Sequence, residues 1–437
     1  MSGYLSAAEV TQELGISVST LYSYVSRGLL RSEFADRSKR TRRYPAEDVQ
    51  RLKERQEMRR NPQKVVDTAL HWGTPMLDSA LTLIDGGRFY YRGRDALDLA
   101  LRESVERVAA WFWLGEEREA GALFAQGADT LPPRVEAMQA HLAEATPMER
   151  FQALLPVMAL EDPAAYDFRP RQAAYTGARI LQSMTLLALP TALKRRSEIR
   201  NPPSRVSPIL NGVREGGLCV SDRGFIPDGI AARLQRAWVP GPPQAAALLN
   251  AALILCADHE LNVSSFTARC VASAGSPPYA VVSAGLAALQ GVKHGGASDH
   301  LEALFREAGR PEQARAALAQ RLRRGENIPG FGHKLYPEGD PRGRLLLEQV
   351  TAAYPQAPGT LLALALAEAG EALLHERPNL DFGLATLCAA LDLPTGAAIA
   401  LFALGRTIGW TGHAIEEYQA DRLIRPRAHY TGVLPAP

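Results

Sequence analysis

Long stretches of this chain repeat apolar residues at the three-to-four-residue spacing of a helix. Few stretches alternate at the spacing of a strand. Residues 96–114, 243–257, 279–290 and 359–374 are rich in Ala and Leu and carry this helical period. Pro-rich loops punctuate them, as at Asn201-Pro202-Pro203 and Val239-Pro240-Gly241-Pro242-Pro243. The aromatic run Phe89-Tyr90-Tyr91 and its neighbours predict one short hairpin. From Ser79 onward the pattern predicts an all-α protein, with no internal repeat and no long low-complexity tract.

The first sixty residues read differently. Residues 5–30 predict helix, tight turn, helix. Ser6 stands where an N-cap is needed, Gly15 where the turn needs left-handed backbone, and Ser17 where a second helix over 18–27 needs its cap. Val10, Leu14, Ile16 and Leu21 would pack the two helices together, leaving Ser19, Thr20, Tyr22 and Ser23 to a DNA groove or phosphates. Charge sharpens this picture. Residues 1–62 hold 12 Lys+Arg against 8 Asp+Glu, whereas the rest of the chain is slightly acidic. Arg31, Arg37, Lys39, Arg40, Arg42 and Arg43 fall close together and read as a basic wing, with a third helix beginning near Glu47-Asp48-Val49. The plainer alternative is a small helical domain with a solvated basic loop. The elements Leu-Ser-Ala-Ala-Glu-Val, Leu-Gly-Ile-Ser, Thr-Leu-Tyr, Arg-Gly-Leu and Arg-Arg-Tyr within residues 4–55 resemble a MerR/excisionase-type winged helix-turn-helix. That resemblance implies DNA contact through Ser19, Thr20, Tyr22, Arg40, Arg42 and Arg43, although a fused domain can keep such a fold without its DNA.

Composition adds bounds. A chain of 437 residues has room for about two to four domains. Its 46% apolar and 22% charged residues are ordinary for a soluble globular protein, and a net charge of +2 says little about partners. Residues 1–10 lack the apolar region of a secretory signal, and the longest apolar run, 245–257, is too short to cross a bilayer. Cys219, Cys256, Cys270 and Cys388 show no Cys-x-x-Cys spacing. They predict reduced thiols in a cytoplasmic protein rather than a zinc ribbon or redox pair. His300, six residues after His294, has no companion cluster with metal-ligand spacing, so no metal is expected.

Five stretches in the C-terminal half carry chemistry in a fixed order. They are Asp258-His259-Glu260-Leu261-Asn262, His294-Gly295-Gly296-Ala297, Pro329-Gly330-Phe331-Gly332-His333 leading to Asp340-Pro341-Arg342, Asn379-Leu380-Asp381-Phe382, and Arg406 with Arg425-Pro426-Arg427. Three histidines, an aspartate and several arginines on Gly- and Pro-rich punctuation point to a site for an anionic substrate, since the guanidinium fork pairs both oxygens of a carboxylate. Any one of these histidines taken alone would pass for a surface or capping residue.

In order and spacing this set resembles the citrate synthase family, over residues 82–432 and most densely from Ala257. Ile84-Asp85-Gly86-Gly87 and Tyr91-Arg92-Gly93-Arg94-Asp95 match the family's entry segment, while residues 117–244 match it only weakly. The resemblance implies a large helical domain (79–295 with 395–437) and a small one (296–394), joined through a connector (63–78) to the N-terminal module (1–62). It implies Claisen condensation of an acyl-CoA, acetyl-CoA first, with oxaloacetate and hydrolysis to citrate and CoA. In that scheme Asp381 is the base, His294 donates to the thioester oxygen and His333 to the oxaloacetate carbonyl. His259, Arg342, Arg406 and Arg425 bind the dicarboxylate. The backbone of Ile328, Pro329, Gly330, Phe331 and Gly332 wraps CoA, a substrate rather than a resident cofactor. Arg425 would serve the neighbouring subunit's site, which implies a homodimer. His294 should be neutral, through a helix start at Gly295-Gly296. Lys334 and Tyr336 are further candidates for the CoA phosphates, with a solvated face the plainer reading of Lys334. His375, His413 and His429 read as structural.

Two departures bear on substrate and product. Ser298-Asp299 stands where family members usually carry Asn-Glu, and Gly383-Leu384-Ala385 stands where many bacterial members carry Tyr-Ser-Gly. A 2-methylcitrate synthase or a citryl-CoA lyase-like paralogue fits the same catalytic atoms. So does a DNA-binding regulator that senses these metabolites, although a sensor has no use for the base.

Overall fold

A computed structural model of the chain describes residues 4–26, 30–36, 39–46, 48–49, 77–125, 130–190, 229–241, 244–428 and 430–433. Arg37, Glu47, most of the connector, Cys219 and His429 lie outside these residues, and Ser19 and Arg40 are described in backbone only. By their contacts, Ser79–Ile424 form one unit, and Met1–Asp78 with Arg425–Pro437 form another.

In the N-terminal unit the helices run Ala7–Leu14 and Val18–Ser26. Ser6 and Glu9 make a capping box: the Ser6 Oγ accepts the Glu9 N–H at 3.3 Å, and the Glu9 carboxylate accepts the Ser6 N–H at 2.7 Å. Gly15 ends the first helix at φ 58°. The Ser17 Oγ accepts the Thr20 N–H at 3.2 Å and so caps the second helix. The predicted wing is two strands, Glu33–Asp36 and Lys39–Pro45, and the latter also pairs with Tyr4–Ser6, giving the antiparallel order Tyr4–Ser6, Lys39–Pro45, Glu33–Asp36. Val10, Leu14, Leu21, Leu30, Tyr44 and Val49 form the core beneath, with Ile16 packed at its edge.

The Ser79–Ile424 unit is helical among its described residues, apart from one small sheet. Thr82–Asp85 and Arg88–Tyr91 form the predicted hairpin, extended by Arg94–Asp95. The main core is organised around the Ala397–Ala420 helix, which is buried along nearly its whole length and carries Arg406, His413 and Glu417 inside with its apolar residues. The helices Val105–Leu114, Pro170–Ala188, Gln244–Cys256, Val263–Ser273 and Pro278–Leu289 pack against it. A second core lies between Ala297–Ala308, Ala314–Arg323 and Pro358–Leu374, and includes Phe331 and Phe382. The helices Pro341–Ala353 and Leu380–Ala390 contribute to both cores.

One junction of the main core sets up the site. At the end of Gln244–Cys256 the last carbonyls have no partner within their own helix. The Tyr91 hydroxyl donates to the Ile254 and Asp258 carbonyls at 2.9 and 3.2 Å. The Arg406 Nε donates to the Cys256 carbonyl at 2.8 Å, and the Gly409 N–H to the Ala257 carbonyl at 3.0 Å. A side chain at Gly409 would put its Cβ 2.4 Å from that carbonyl oxygen, so only glycine lets the central helix come this close. The segment leading to His259 is therefore pinned to the central helix.

Candidate active site

Two buried guanidinium groups, Arg342 and Arg406, define a candidate anion-binding site. Arg342 opens the Pro341–Ala353 helix and is clasped by Asp340, the N-cap, whose carboxylate accepts Nε at 2.9 Å and Nη2 at 2.8 Å. Burial opposes the Arg342 charge, but the Asp340 carboxylate outweighs it and holds the guanidinium firmly protonated. Arg406 lies within the Ala397–Ala420 helix and is only 1% exposed. Its Nε is used on Cys256, its Cζ lies 4.7 Å from the Phe402 ring centroid, and its buried Nη1 has no protein partner. A buried, unpaired N–H on a permanent cation marks where an anion's oxygen belongs.

The three histidines surround these cations, and burial holds all three neutral. His259 lies well below its ordinary pKa through burial and the nearby charges of Arg342 and Arg406. His333 falls to about 4 through burial and then Arg342. Its Nδ1 accepts the Leu335 N–H at 3.2 Å, so in the neutral ring the proton sits on Nε2, which makes that nitrogen a donor. The His259 and His333 rings meet edge to face at 5.1 Å. His294 also falls to about 4, through burial first and Arg406 second. The expected cause was a helix start, and the Ala297–Ala308 helix does begin three residues later, but burial and the neighbouring cation account for the shift. The His294 Nε2 is 2.9 Å from the Ser264 Oγ. Gly295 allows this packing, because a Cβ there would lie 2.4 Å from the Leu289 carbonyl oxygen.

Asp381 sits in the first turn of Leu380–Ala390. The Asn379 Oδ1 caps this helix by accepting the Asp381 and Phe382 N–H groups at 3.1 and 3.4 Å. Burial raises the Asp381 carboxyl to about 6, against the pull of Arg342 and Arg406. Such a carboxylate is ionised near neutral pH yet more basic than a solvated one, as a general base requires. Asn379 also ties this helix to the loop before His333. Its N–H donates to the Gly330 carbonyl at 2.9 Å and its Nδ2 to the Gly332 carbonyl at 3.1 Å, while the Gly332 N–H donates to the Arg377 carbonyl at 2.9 Å. Ile328 and Phe331 are buried, and the Phe331 ring lies 5.2 Å from that of Phe382, the residue after Asp381. These contacts tie the Ile328–Gly332 stretch to the helix that carries Asp381.

The structure brings His259, His294, His333, Arg342, Asp381 and Arg406 into one electrostatic neighbourhood, with residues 328–332 at its side. Arg425 is exposed and belongs to the other unit, so the site described here is built without it. Tyr336 differs from its expected place at CoA phosphates: it is 2% exposed, with its hydroxyl 2.8 Å from the His259 Nε2. The sequence reading missed Ser264 and the buried partners behind His259. Asp258 accepts from Thr82 at 2.6 Å and lies 3.2 Å from the His413 Nε2. Burial opposes a charge on His413, but Asp258 and Glu416 prevail and raise it to about 9. Ser264 stood two residues after a motif asparagine, and only that proximity could have flagged it.

In the N-terminal unit, Tyr22 is 52% exposed on Val18–Ser26, while Thr20 is half-buried with its hydroxyl 2.9 Å from that of Ser17. Arg42 donates to the Ser32 Oγ at 3.3 Å. Arg43 pairs with Glu33, directly opposite it in the sheet, and lies 4.1 Å from the Tyr4 ring centroid.

Residues 69–427 match the family model described as citrate synthase, C-terminal domain. The chain belongs to the citrate synthase family. It is an enzyme of that family, an acyltransferase that condenses an acyl-CoA with oxaloacetate. A citrate synthase of Mycolicibacterium smegmatis is 30% identical over 352 residues, 78% of this chain and 88% of that protein. Citrate synthase 2 of Bacillus subtilis (strain 168) is 37% identical over 196 residues, 44% of this chain and 52% of that protein. In fold, the chain matches the citrate synthase of Thermoplasma acidophilum, solved as a ternary complex with carboxymethyl coenzyme A and oxaloacetate. The TM-score is 0.66, with 24% identity, over 84% of this chain and 96% of that one. Residues 4–57 match a helix-turn-helix domain model.

Proposed function

We propose that this citrate synthase family member joins acetyl-CoA to oxaloacetate by the division of labour that the site's charges support. Asp381 removes a proton from the thioester methyl group. A carbon acid this weak yields its proton only if the enolate oxygen is stabilised at the same moment, and His294, neutral and buried, is the donor for it. Oxaloacetate lies with its carboxylates on Arg342 and Arg406, His259 beside them, and its ketone facing the His333 Nε2–H. The Ile328–Gly332 backbone receives CoA, and water then hydrolyses the thioester to release citrate and CoA. The observation that carries this reading is the pairing of opposites in one buried pocket: a carboxylate raised to about 6, three neutral histidines, and a guanidinium with an unpaired N–H.

Arg425, exposed here, is the residue we assign to a second subunit's site in a homodimer. For residues 4–57 we infer DNA contact through Tyr22, with Ser19 and Thr20 on the same helix and Arg40, Arg42 and Arg43 on the wing strand. Cys256, Cys270 and Cys388 are free thiols, which suits a cytoplasmic protein. CoA release should be measured from acetyl-CoA and from propionyl-CoA, each with oxaloacetate. Faster turnover of acetyl-CoA supports citrate synthesis, and preference for propionyl-CoA makes the enzyme a 2-methylcitrate synthase. Condensation without CoA release indicates a lyase-like paralogue, and no turnover of either overturns the proposal.

A further inference from the structure

We infer that Tyr336 is a positioning residue that fixes the tautomer of His259, placing that ring's single proton on Nδ1. The inference deepens the reading of the dicarboxylate pocket and rests on it. Its geometry is independent of substrate. Tyr336 is 2% exposed, its hydroxyl is 2.8 Å from the His259 Nε2, and no other partner of that hydroxyl is seen among the described residues.

Two arrangements of this bond are conceivable, and only one satisfies the buried phenol. If His259 donated from Nε2, the phenol proton would be left inside the protein with no acceptor. A buried unsatisfied donor costs the full desolvation of the group. If Tyr336 donates to Nε2, the phenol is satisfied and the ring proton must lie on Nδ1. The alternative of a charged imidazolium is opposed by the buried setting between Arg342 and Arg406. His259 then presents an Nδ1–H, a neutral donor, beside two fixed cations. A carboxylate pocket needs donors, and an Nδ1 lone pair in the same place would repel the substrate's oxygens.

The turn explains why a tyrosine at this spacing does the task. The Tyr336 N–H donates to the His333 carbonyl at 3.0 Å, which folds the phenol back beside the His333 ring at a centroid distance of 5.0 Å. The Arg342 Cζ lies over the Tyr336 ring, 5.6 Å from its centroid. One side chain thereby sets the protonation pattern of His259 while touching the surroundings of His333 and Arg342.

The test uses Tyr336→Phe in the full chain, which keeps the ring and removes the hydroxyl. The first readout is the tautomer. In ring-15N-histidine protein, with His259→Gln to assign the signals, wild-type His259 should show a protonated Nδ1 and an unprotonated Nε2. In Tyr336→Phe the Nε2 signal should move toward the protonated form. The second readout is kinetic: KM for oxaloacetate should rise roughly 2- to 12-fold, the span of one net hydrogen bond, while kcat changes by less. A protonated Nε2 in the wild type, or a His259 spectrum unchanged by Tyr336→Phe, overturns the inference. So does a loss confined to thermal stability, which would make Tyr336 a packing residue. Because the spectrum is read without substrate, its failure is distinct from failure of the pocket assignment. That second failure would appear as a His259→Gln protein that still binds oxaloacetate normally.

Discussion

Replacing Arg406 with leucine tests the anionic pocket at its most informative point. Leucine keeps much of the apolar stem that packs near Phe402 but removes every N–H. Two consequences follow from the geometry. In the empty protein, the Cys256 carbonyl loses its 2.8 Å donor, which costs about 1–3 kcal/mol. This is partly offset, since a guanidinium that burial disfavours is removed as well. In the complex, a substrate carboxylate loses a charge-assisted donor inside the protein, a truncation that costs about 2–5 kcal/mol. At about 1.4 kcal/mol per factor of ten, KM for oxaloacetate should rise on the order of 30- to 5,000-fold. KM for the acyl-CoA should change far less. Steady-state CoA release with an oxaloacetate titration at saturating acyl-CoA measures the effect, and a thermal melt separates it from unfolding. A folded Arg406→Leu protein whose KM for oxaloacetate stays within about twofold of wild type would refute the assignment.

The Asp381 carboxyl must be ionised to act, and burial holds its pKa near 6, above the solvated value of 3.8. So kcat/KM for the acyl-CoA should level off above about pH 6 and fall tenfold per unit below it, and a profile that stays flat from pH 7 down to about pH 5 would contradict this. Gly370, on the Pro358–Leu374 helix, leaves room for the Phe331 ring: a Cβ there would lie 2.2 Å from the Phe331 Cζ. Gly370→Ala should therefore destabilise the protein by about 1–3 kcal/mol and raise KM for the acyl-CoA more than that for oxaloacetate, and unchanged values of both would remove residues 328–332 from the CoA site. Deleting residues 1–61 should leave condensation intact, since no residue of the described site lies there. Binding of genomic fragments by the full chain should weaken steeply with salt and on changing Arg40, Arg42 and Arg43 to alanine, and absence of binding at low salt would leave the module without a DNA role.

Much of this was legible in the sequence because the candidate site residues sit on local punctuation. His294 precedes a Gly-Gly helix start, Asp381 follows an asparagine cap, and Arg342 follows an Asp-Pro cap, so each is announced by its neighbours. The N-terminal helices were legible for the same reason, through Ser6, Gly15 and Ser17. What was hidden is long-range. Ser264 meets His294 across thirty residues, Tyr336 meets His259 across seventy-seven, and Asp258 meets His413 across 155. No local pattern encodes such meetings; they follow from how the central helix and the pinned segment before His259 pack. Tyr336 shows the consequence most clearly. It was a candidate for the CoA phosphates, whereas the turn at His333 folds it inward against His259. Similarly, burial rather than the helix start depresses the His294 pKa, a quantity invisible to spacing.

The central claim is that Asp381 moves the proton while other groups hold oxaloacetate. Asp381→Ala tests it most directly when two quantities are measured on one preparation: oxaloacetate affinity by calorimetry and turnover by CoA release. The account predicts affinity within about threefold of wild type, because the carboxylate's ligands are Arg342, Arg406 and His259. It predicts turnover reduced by ~10²–10⁴-fold, the span expected for loss of a general base. Turnover close to wild type, with affinity intact, would contradict it.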